Sequence, residues 1–380
     1  MGLAHRYAVR PETHSRIFSD LMKLFLKMPF PPLARTLPVR WAARCRAALW
    51  GAGIGLALLL GSGCDSGPKE RRLLNVSYDP TREFYADFNR EFCAYWQQAK
   101  GETVHVSQSH GGSGKQARSV RFGLPADVVT LALEPDIDFL AKESKRLPEN
   151  WIEKFPFRSA PYTSTIVFLV RKGNPKQIQD WGDLEKPGIQ VITPNPKTGG
   201  GARWNYLAAW AWAELELGGN PPRLREYIRK VLANVPVWDS GARGAANTFA
   251  QRGIGDVLIT WENEAFLLLR EQKDAGFEMV MPSVSLLARP PVAVVEENAR
   301  RRGNLDLAQE YLQYLYSPTG QRLAARHFFR PTVPEQADAA DMERFQKVEL
   351  LTVEKIFGGW ERAQKMHFAE GGSFDQLNRR

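Results

Sequence analysis

Three stretches bring bare backbone to what reads as a helix entrance. They are "SQSHGGSGKQARSV" with Ser109 to Gly114, "NPKTGGGARWNYLAAWAWAEL" with Gly199 to Gly201, and "VWDSGARGAANTFAQRG" with Ser240 to Gly244. Each reads strand, small-residue turn, helix. Glycine costs chain entropy, so a cluster of it fits where the chain turns sharply or where something must approach the backbone closely. The first-turn N–H groups of a helix have no partner inside the helix, and the aligned peptide dipoles favour negative charge there. The chemistry these turns offer is capture of a small anion. In an open α/β sheet the crevice beyond the carboxyl ends of the strands is where ligands sit, so the three could converge on one anion. Each alone is also ordinary turn chemistry, because Gly, Ser and Asp dominate turns.

Other chemistry has less support. A nucleotide P-loop fails because "SHGGSGKQA" lacks the first Gly of that motif and carries Gln116 where Ser or Thr would hold magnesium. Trp261, closing "GIGDVLITW", could give its one indole N–H to a ligand or pack in the core. Glu262 and Glu264 follow it, and a secreted hydrolase or transferase using either is the reading from another class. Residues two apart on a helix do not face each other, and no Gly-x-Ser-x-Gly elbow accompanies them. They are expected to be solvated carboxylates that complement the helix dipole. The six His never fall at metal-ligand spacing, and Cys45, Cys64 and Cys93 make no paired-Cys motif, so neither metal nor cofactor is expected. Cys93, in "REFYADFNREFCAYWQQ", is expected as a buried core thiol without a disulfide partner.

The elements that must hold these turns are short apolar runs alternating with helical patterns. Strands are predicted over 73–77, 103–109, 127–133, 165–171, 189–193, 235–239, 255–261, 277–281 and 292–296. The clearest helix runs from Ala202 through Leu217, with Trp204, Leu207, Ala208, Ala211 and Leu215 on one face. A second spans Leu305 to Tyr316, striped by Ala308, Tyr311, Leu312 and Leu315, and Ser317-Pro318 opens the next. The alternation means α/β layers with largely parallel sheets. "RSAPYTSTIVFLVRKGNP" and "MPSVSLLARPPVAVVE" read as crossings between two lobes. Lobe I is then discontinuous, residues 65–160 plus 283–380, and lobe II is 161–282.

Composition bears on compartment and partners. Of the net charge of +9, residues 1–64 carry +7, with nine Lys and Arg against Glu12 and Asp20, so the remainder is nearly neutral. That removes the footprint of a nucleic-acid binder. Residues 1–64 read as an N-terminal extension and an export signal: a basic flank, the apolar run "AALWGAGIGLALLLGSG", and small residues before Cys64. The ending "LLGSGC" resembles a bacterial lipoprotein signal, in which Cys64 would be acylated. Gly61 departs from that pattern, and an ordinary cleaved signal is the alternative. Met28 is an alternative start.

Long ordered motifs resemble the periplasmic sulfate-binding proteins of bacterial ABC importers: "LLNVSYDPTREFY", "SQSHGGSGKQA", "APYTSTIVFLVRKGNPKQI", "NPKTGGGARWNYLAAW", "DSGARG" and "RGIGDVLITWENEA". The likeness spans residues 72–380. It implies an α/β, two-lobed periplasmic binding protein fold of the type II kind, each lobe a mainly parallel sheet flanked by helices and the lobes joined by hinge strands. It implies a monomeric receptor without catalysis or cofactor, whose partners are sulfate or a related oxyanion and the membrane permease subunits of the transporter. In such proteins dehydrated sulfate is held by backbone N–H groups, a serine hydroxyl and an indole N–H. The resemblance points to the backbone of Ser113, Gly200, Gly201 and Ala242, to the Trp261 indole, and to the backbone of Asp79. One departure matters. The family pattern has a hydroxyl residue where this chain has Gly199; Thr198 beside it could turn in, or a water could replace it. Thiosulfate, molybdate or another tetrahedral oxyanion therefore stays open beside sulfate.

Overall fold

A computed structural model describes residues 70–271 and 276–378 of the 380, and Asp65–Arg380 packs as one compact unit. The export segment and Cys64 lie outside the described residues. Among the described residues no helix is long and apolar enough to cross a membrane.

The described strands are β1 Glu70–Tyr78, β2 Thr103–Gly111, β3 Val128–Thr130, β4 Tyr162–Thr163, β5 Ile166–Arg171, β6 Val191–Pro194, β7 Trp238–Asp239, β8 Val257–Trp261, β9 Phe277–Val280, β10 Ser285–Leu286, β11 Val292–Val294, β12 Arg330–Pro331 and β13 Leu350–Leu351. Every predicted run overlaps one of them. A four-stranded sheet has the order β11-β3-β1-β2, and a five-stranded sheet has the order β7-β6-β8-β5-β9. Pairing is parallel from β3 through β1 to β2 and from β7 through β6 to β8, as strand–helix alternation dictates. The antiparallel members are β11 against β3, and β5 against β8 and β9. β5 and β11 are each the first main-sheet strand after a crossing; they come from the other sheet rather than over a crossover helix, and so run against their neighbours.

The two crossing segments lie side by side. Ser164 and Ala288 exchange both backbone hydrogen bonds at 2.9 Å, and neither residue has exposed surface.

Helices cover the sheets where the periodicity places them, with two differences. In Gly200–Leu217, Trp204, Leu207, Ala208 and Ala211 are buried, but Leu215 is 52% exposed. The first three turns are wrapped on several sides, Trp204 meeting Trp360 edge to face at 4.7 Å and Trp210 meeting His367 at 4.4 Å, and the last turn emerges beyond that packing. Cys93 is half-buried rather than sealed in the core, though burial still pushes its thiol pKa up. The helix runs Leu305–Tyr314, two residues shorter than predicted; it buries Ala308, Tyr311 and Leu312, Leu315 is buried just past its end, and the Ser317 hydroxyl accepts from the Gly320 N–H at 3.1 Å to cap Pro318–Arg326.

Candidate anion-binding site

Each predicted turn follows a strand and opens a helix. β2 leads into Ser113–Arg121, β6 into Gly200–Leu217 and β7 into Ala242–Ala250, while β1 leads into a short turn of 3-10 helix, Asp79–Thr81. The residues before these four entrances are Gly112, Gly199, Gly241 and Tyr78, and none supplies a side-chain cap. Their first-turn N–H groups are left without the usual side-chain acceptor.

Glycine contacts stitch the turns into one ring. A Cβ on Gly112 would lie 2.7 Å from the Thr198 carbonyl oxygen, and one on Gly200 would lie 2.8 Å from the Ser113 Cβ and 2.7 Å from that of Ala132. One on Gly241 would meet Asp79 Oδ2 at 2.8 Å, and one on Gly201 would meet Trp261 Nε1 at 2.5 Å. Side chains are excluded because the turns press together. Ser113, Gly200, Gly201, Trp261, Asp79 and the start of the Ala242 helix are thus gathered at one place, where the carboxyl ends of strands from both sheets meet.

Trp261 ends β8 with 1% exposure, and its indole nitrogen has no hydrogen-bond partner among the described residues. The other fully buried tryptophans all donate: Trp151 to Asp138 at 2.9 Å, Trp181 to the Val284 carbonyl at 2.8 Å, and Trp204 to the Ala132 carbonyl at 2.9 Å. An orphaned donor at this depth costs about 1–3 kcal/mol and marks a place where an acceptor belongs. Beside it the Tyr78 ring stands 5.5 Å away, its hydroxyl also buried and without a partner among the described residues. Sequence reasoning missed Tyr78; the signal was its place just before Asp79.

Two hydroxyls are already committed. Ser113 Oγ donates to Asp136 Oδ2 at 2.5 Å and accepts from the Ala132 N–H at 3.0 Å, so only its backbone is free to serve a ligand. Thr198 does not turn in. Its hydroxyl donates to the Asn195 carbonyl at 3.2 Å, which keeps it in its own loop. Gly199 has φ −113° and ψ 127°, an extended conformation open to any residue.

Charges surround the ring. Arg243 Nη2 lies 3.1 Å from both Glu83 oxygens and 3.6 Å from Glu264 Oε1. Arg203 stands 3.8 Å from Asp136, a carboxyl whose pKa burial raises against the pull of Arg203. Glu262 and Glu264 are not solvated, contrary to the sequence expectation, but 0% and 1% exposed. The Glu262 helix starts inside the packed body, where a carboxylate needs a partner, and Arg330 supplies a fork at 2.6 and 2.7 Å. Among the described residues Glu264 pairs only with the more distant Arg243, and burial pushes its pKa up to about 7. Burial lowers His110 to about 4, helped by Arg82 and Arg243. Among the described residues no group of His, Cys, Asp and Glu is arranged to hold a metal.

A family model for bacterial extracellular solute-binding proteins matches residues 83–330. The chain belongs to that family. Among its relatives, the sulfate-binding protein of Salmonella typhimurium is 54% identical over 328 residues, covering 86% of this chain and 99% of that one. The thiosulfate-binding protein of Pseudomonas aeruginosa is 50% identical over 305 residues, covering 80% and 91%. The solved structure of the sulfate-binding protein SubI from Mycobacterium tuberculosis H37Rv superposes with a TM-score of 0.69 at 32% identity, covering 78% of this chain and 99% of that one. This solute-binding protein accordingly has the two-lobed α/β fold of its family.

Proposed function

We propose that this chain is an extracytoplasmic receptor that captures sulfate or thiosulfate and delivers it to the permease subunits of an ABC importer. The observation that carries the reading is the Trp261 indole N–H, buried and unpartnered, aimed into a ring of four uncapped helix entrances. The anion would be held by the backbone N–H groups of Asp79, Ser113, Gly200, Gly201 and Ala242 together with that indole. Charge-assisted hydrogen bonds are roughly twice as strong as neutral ones, and a desolvated dianion needs most of its oxygens served. The names of the relatives support the choice of anion.

The lobes would be residues 65–160 with 283–380, and 161–282, closing about the paired Ser164 and Ala288 segments. Acylation at Cys64 would tether a monomer to the membrane. The test is tryptophan fluorescence of the purified protein titrated with sulfate, thiosulfate, molybdate and phosphate. Saturable one-site binding of sulfate or thiosulfate is expected. A response to molybdate alone would move the receptor to another oxyanion, and no response to any of the four would end the reading.

A further inference from the structure

One corner of the ring differs from the rest. Thr198 and Gly199 turn their own donors onto a single acceptor, the Asn195 carbonyl oxygen: the Thr198 N–H at 3.0 Å, the Gly199 N–H at 2.9 Å and the Thr198 hydroxyl at 3.2 Å. Gly199 adds no side chain, and a small one would be tolerated there. The nearest atoms to a Cβ there would be the Asn195 and Ser240 carbonyl oxygens and the Gly241 Cα, each at 3.6 Å, which is ordinary contact. The corner therefore shows carbonyl oxygens and carbon to its neighbour, while the other sides show N–H groups and the Trp261 indole.

A tetrahedral anion with four equal oxygens wastes one of them at such a corner, since a charged acceptor left without a donor is penalised. An anion carrying three oxygens and one large, soft atom, whose charge is more diffuse and which accepts hydrogen bonds weakly, loses less there. Thiosulfate is that anion: its outer sulfur is a poor acceptor, sits on a longer bond than oxygen, and needs room rather than a donor. We propose that Gly199 is a specificity-determining residue that fits this receptor to thiosulfate, seating the outer sulfur at the Gly199 corner while the three oxygens take the N–H groups. The inference rests on the oxyanion-receptor reading above and goes beyond it by naming the anion's orientation and the residue that selects it.

Calorimetric titration of the purified protein and two variants with sulfate and thiosulfate separately tests it. The unaltered protein is expected to bind thiosulfate at least as tightly as sulfate. Gly199→Ser, which the extended backbone and the ordinary Cβ contacts permit, adds a hydroxyl donor and is expected to raise sulfate affinity about tenfold or more while lowering that for thiosulfate. Gly199→Ala fills the space without a donor, so thiosulfate should weaken with no gain for sulfate. Circular dichroism melts confirm that both variants are folded. Thiosulfate binding ten times weaker than sulfate, or Gly199→Ser moving both anions equally, overturns the inference and leaves the receptor reading intact. So does hydrogen phosphate outbinding both, since its proton would suit the carbonyl oxygens of that corner. Binding of none of these anions removes the receptor reading and this inference together. A thiosulfate co-crystal gives an answer that needs no variant: the anomalous signal of the outer sulfur belongs beside Gly199, and finding it beside Trp261 or Gly201 rejects the proposal.

Discussion

Gly201 faces the indole nitrogen of Trp261 so closely that a methyl group on its α-carbon would lie 2.5 Å from it. The glycine is required for approach, and the substitution that tests this is Gly201→Ala. Alanine suits a helix, so the local backbone gains, but the buried indole must move aside at an overpacking cost of about 1–3 kcal/mol. Anion affinity should fall at least tenfold and the melting temperature should drop, both readable by calorimetry. Unchanged binding would mean that the indole is not held against the anion.

Trp261→Phe removes the indole N–H and keeps most of the apolar area. The loss of one charge-assisted bond should weaken binding by about 1.5–3 kcal/mol, or roughly ten to a hundred times. Stability without ligand should hold or improve, because the orphaned donor is gone. A variant that binds as before would return Trp261 to a packing role.

Arg243 links the Ala242–Ala250 helix, which follows the five-stranded sheet, to Glu83, which follows β1 of the four-stranded sheet. Both side chains are about one-third exposed, so the pair is screened and worth little, on the order of 0–1 kcal/mol. Glu83→Gln should weaken anion binding by less than about fivefold, mostly through faster release in stopped-flow measurements. A larger loss would assign Glu83 a direct part in shaping the ring.

Glu264 and His367 give opposite slopes to stability against pH. Burial raises the Glu264 carboxyl to about 7, with Arg243 opposing and Glu83, Asp79 and Glu271 assisting. A raised folded pKa means its contribution is present below the ordinary value of 4.5 and is lost as pH rises through 7. Glu264→Gln should then match the parent near pH 4.5 and melt higher at pH 8. His367 is fully buried among Tyr206, Trp210 and Phe368, and burial lowers it to about 4. Its neutral form is favoured by folding, so stability falls as pH drops from 6.5 towards 4, a slope that His367→Phe should reduce. Melts across pH 4 to 8 that are superimposable for parent and variants would contradict both assignments.

Local signals were legible where the chemistry is local. Apolar runs located the nine main strands, and glycine turns located three entrances of the ring, because turn and strand chemistry is written within a few residues. What the sequence could not show is partnership across distance. Glu262 looked like a dipole-complementing surface carboxylate because Arg330, its partner, lies 68 residues away. Leu215 satisfied the helix stripe, yet the neighbours that would cover it stop a turn short. Thr198 was a candidate donor until its loop showed where the proton goes. The antiparallel entry of β5 and β11 is equally invisible in composition, since a buried strand reads the same in either direction.

The placement of β11 has a consequence for the order in which the molecule assembles. Val292 pairs with Thr130, and between them the chain builds the whole five-stranded sheet. An exported chain emerges from its N-terminus, so β3 carries an open edge until the return segment arrives, and that contact is among the slowest kinds to form. The ring that would hold the anion draws on turns from both sheets. Ligand therefore arrives too late to guide early folding and can only reward a chain that has already closed its first sheet with its last quarter.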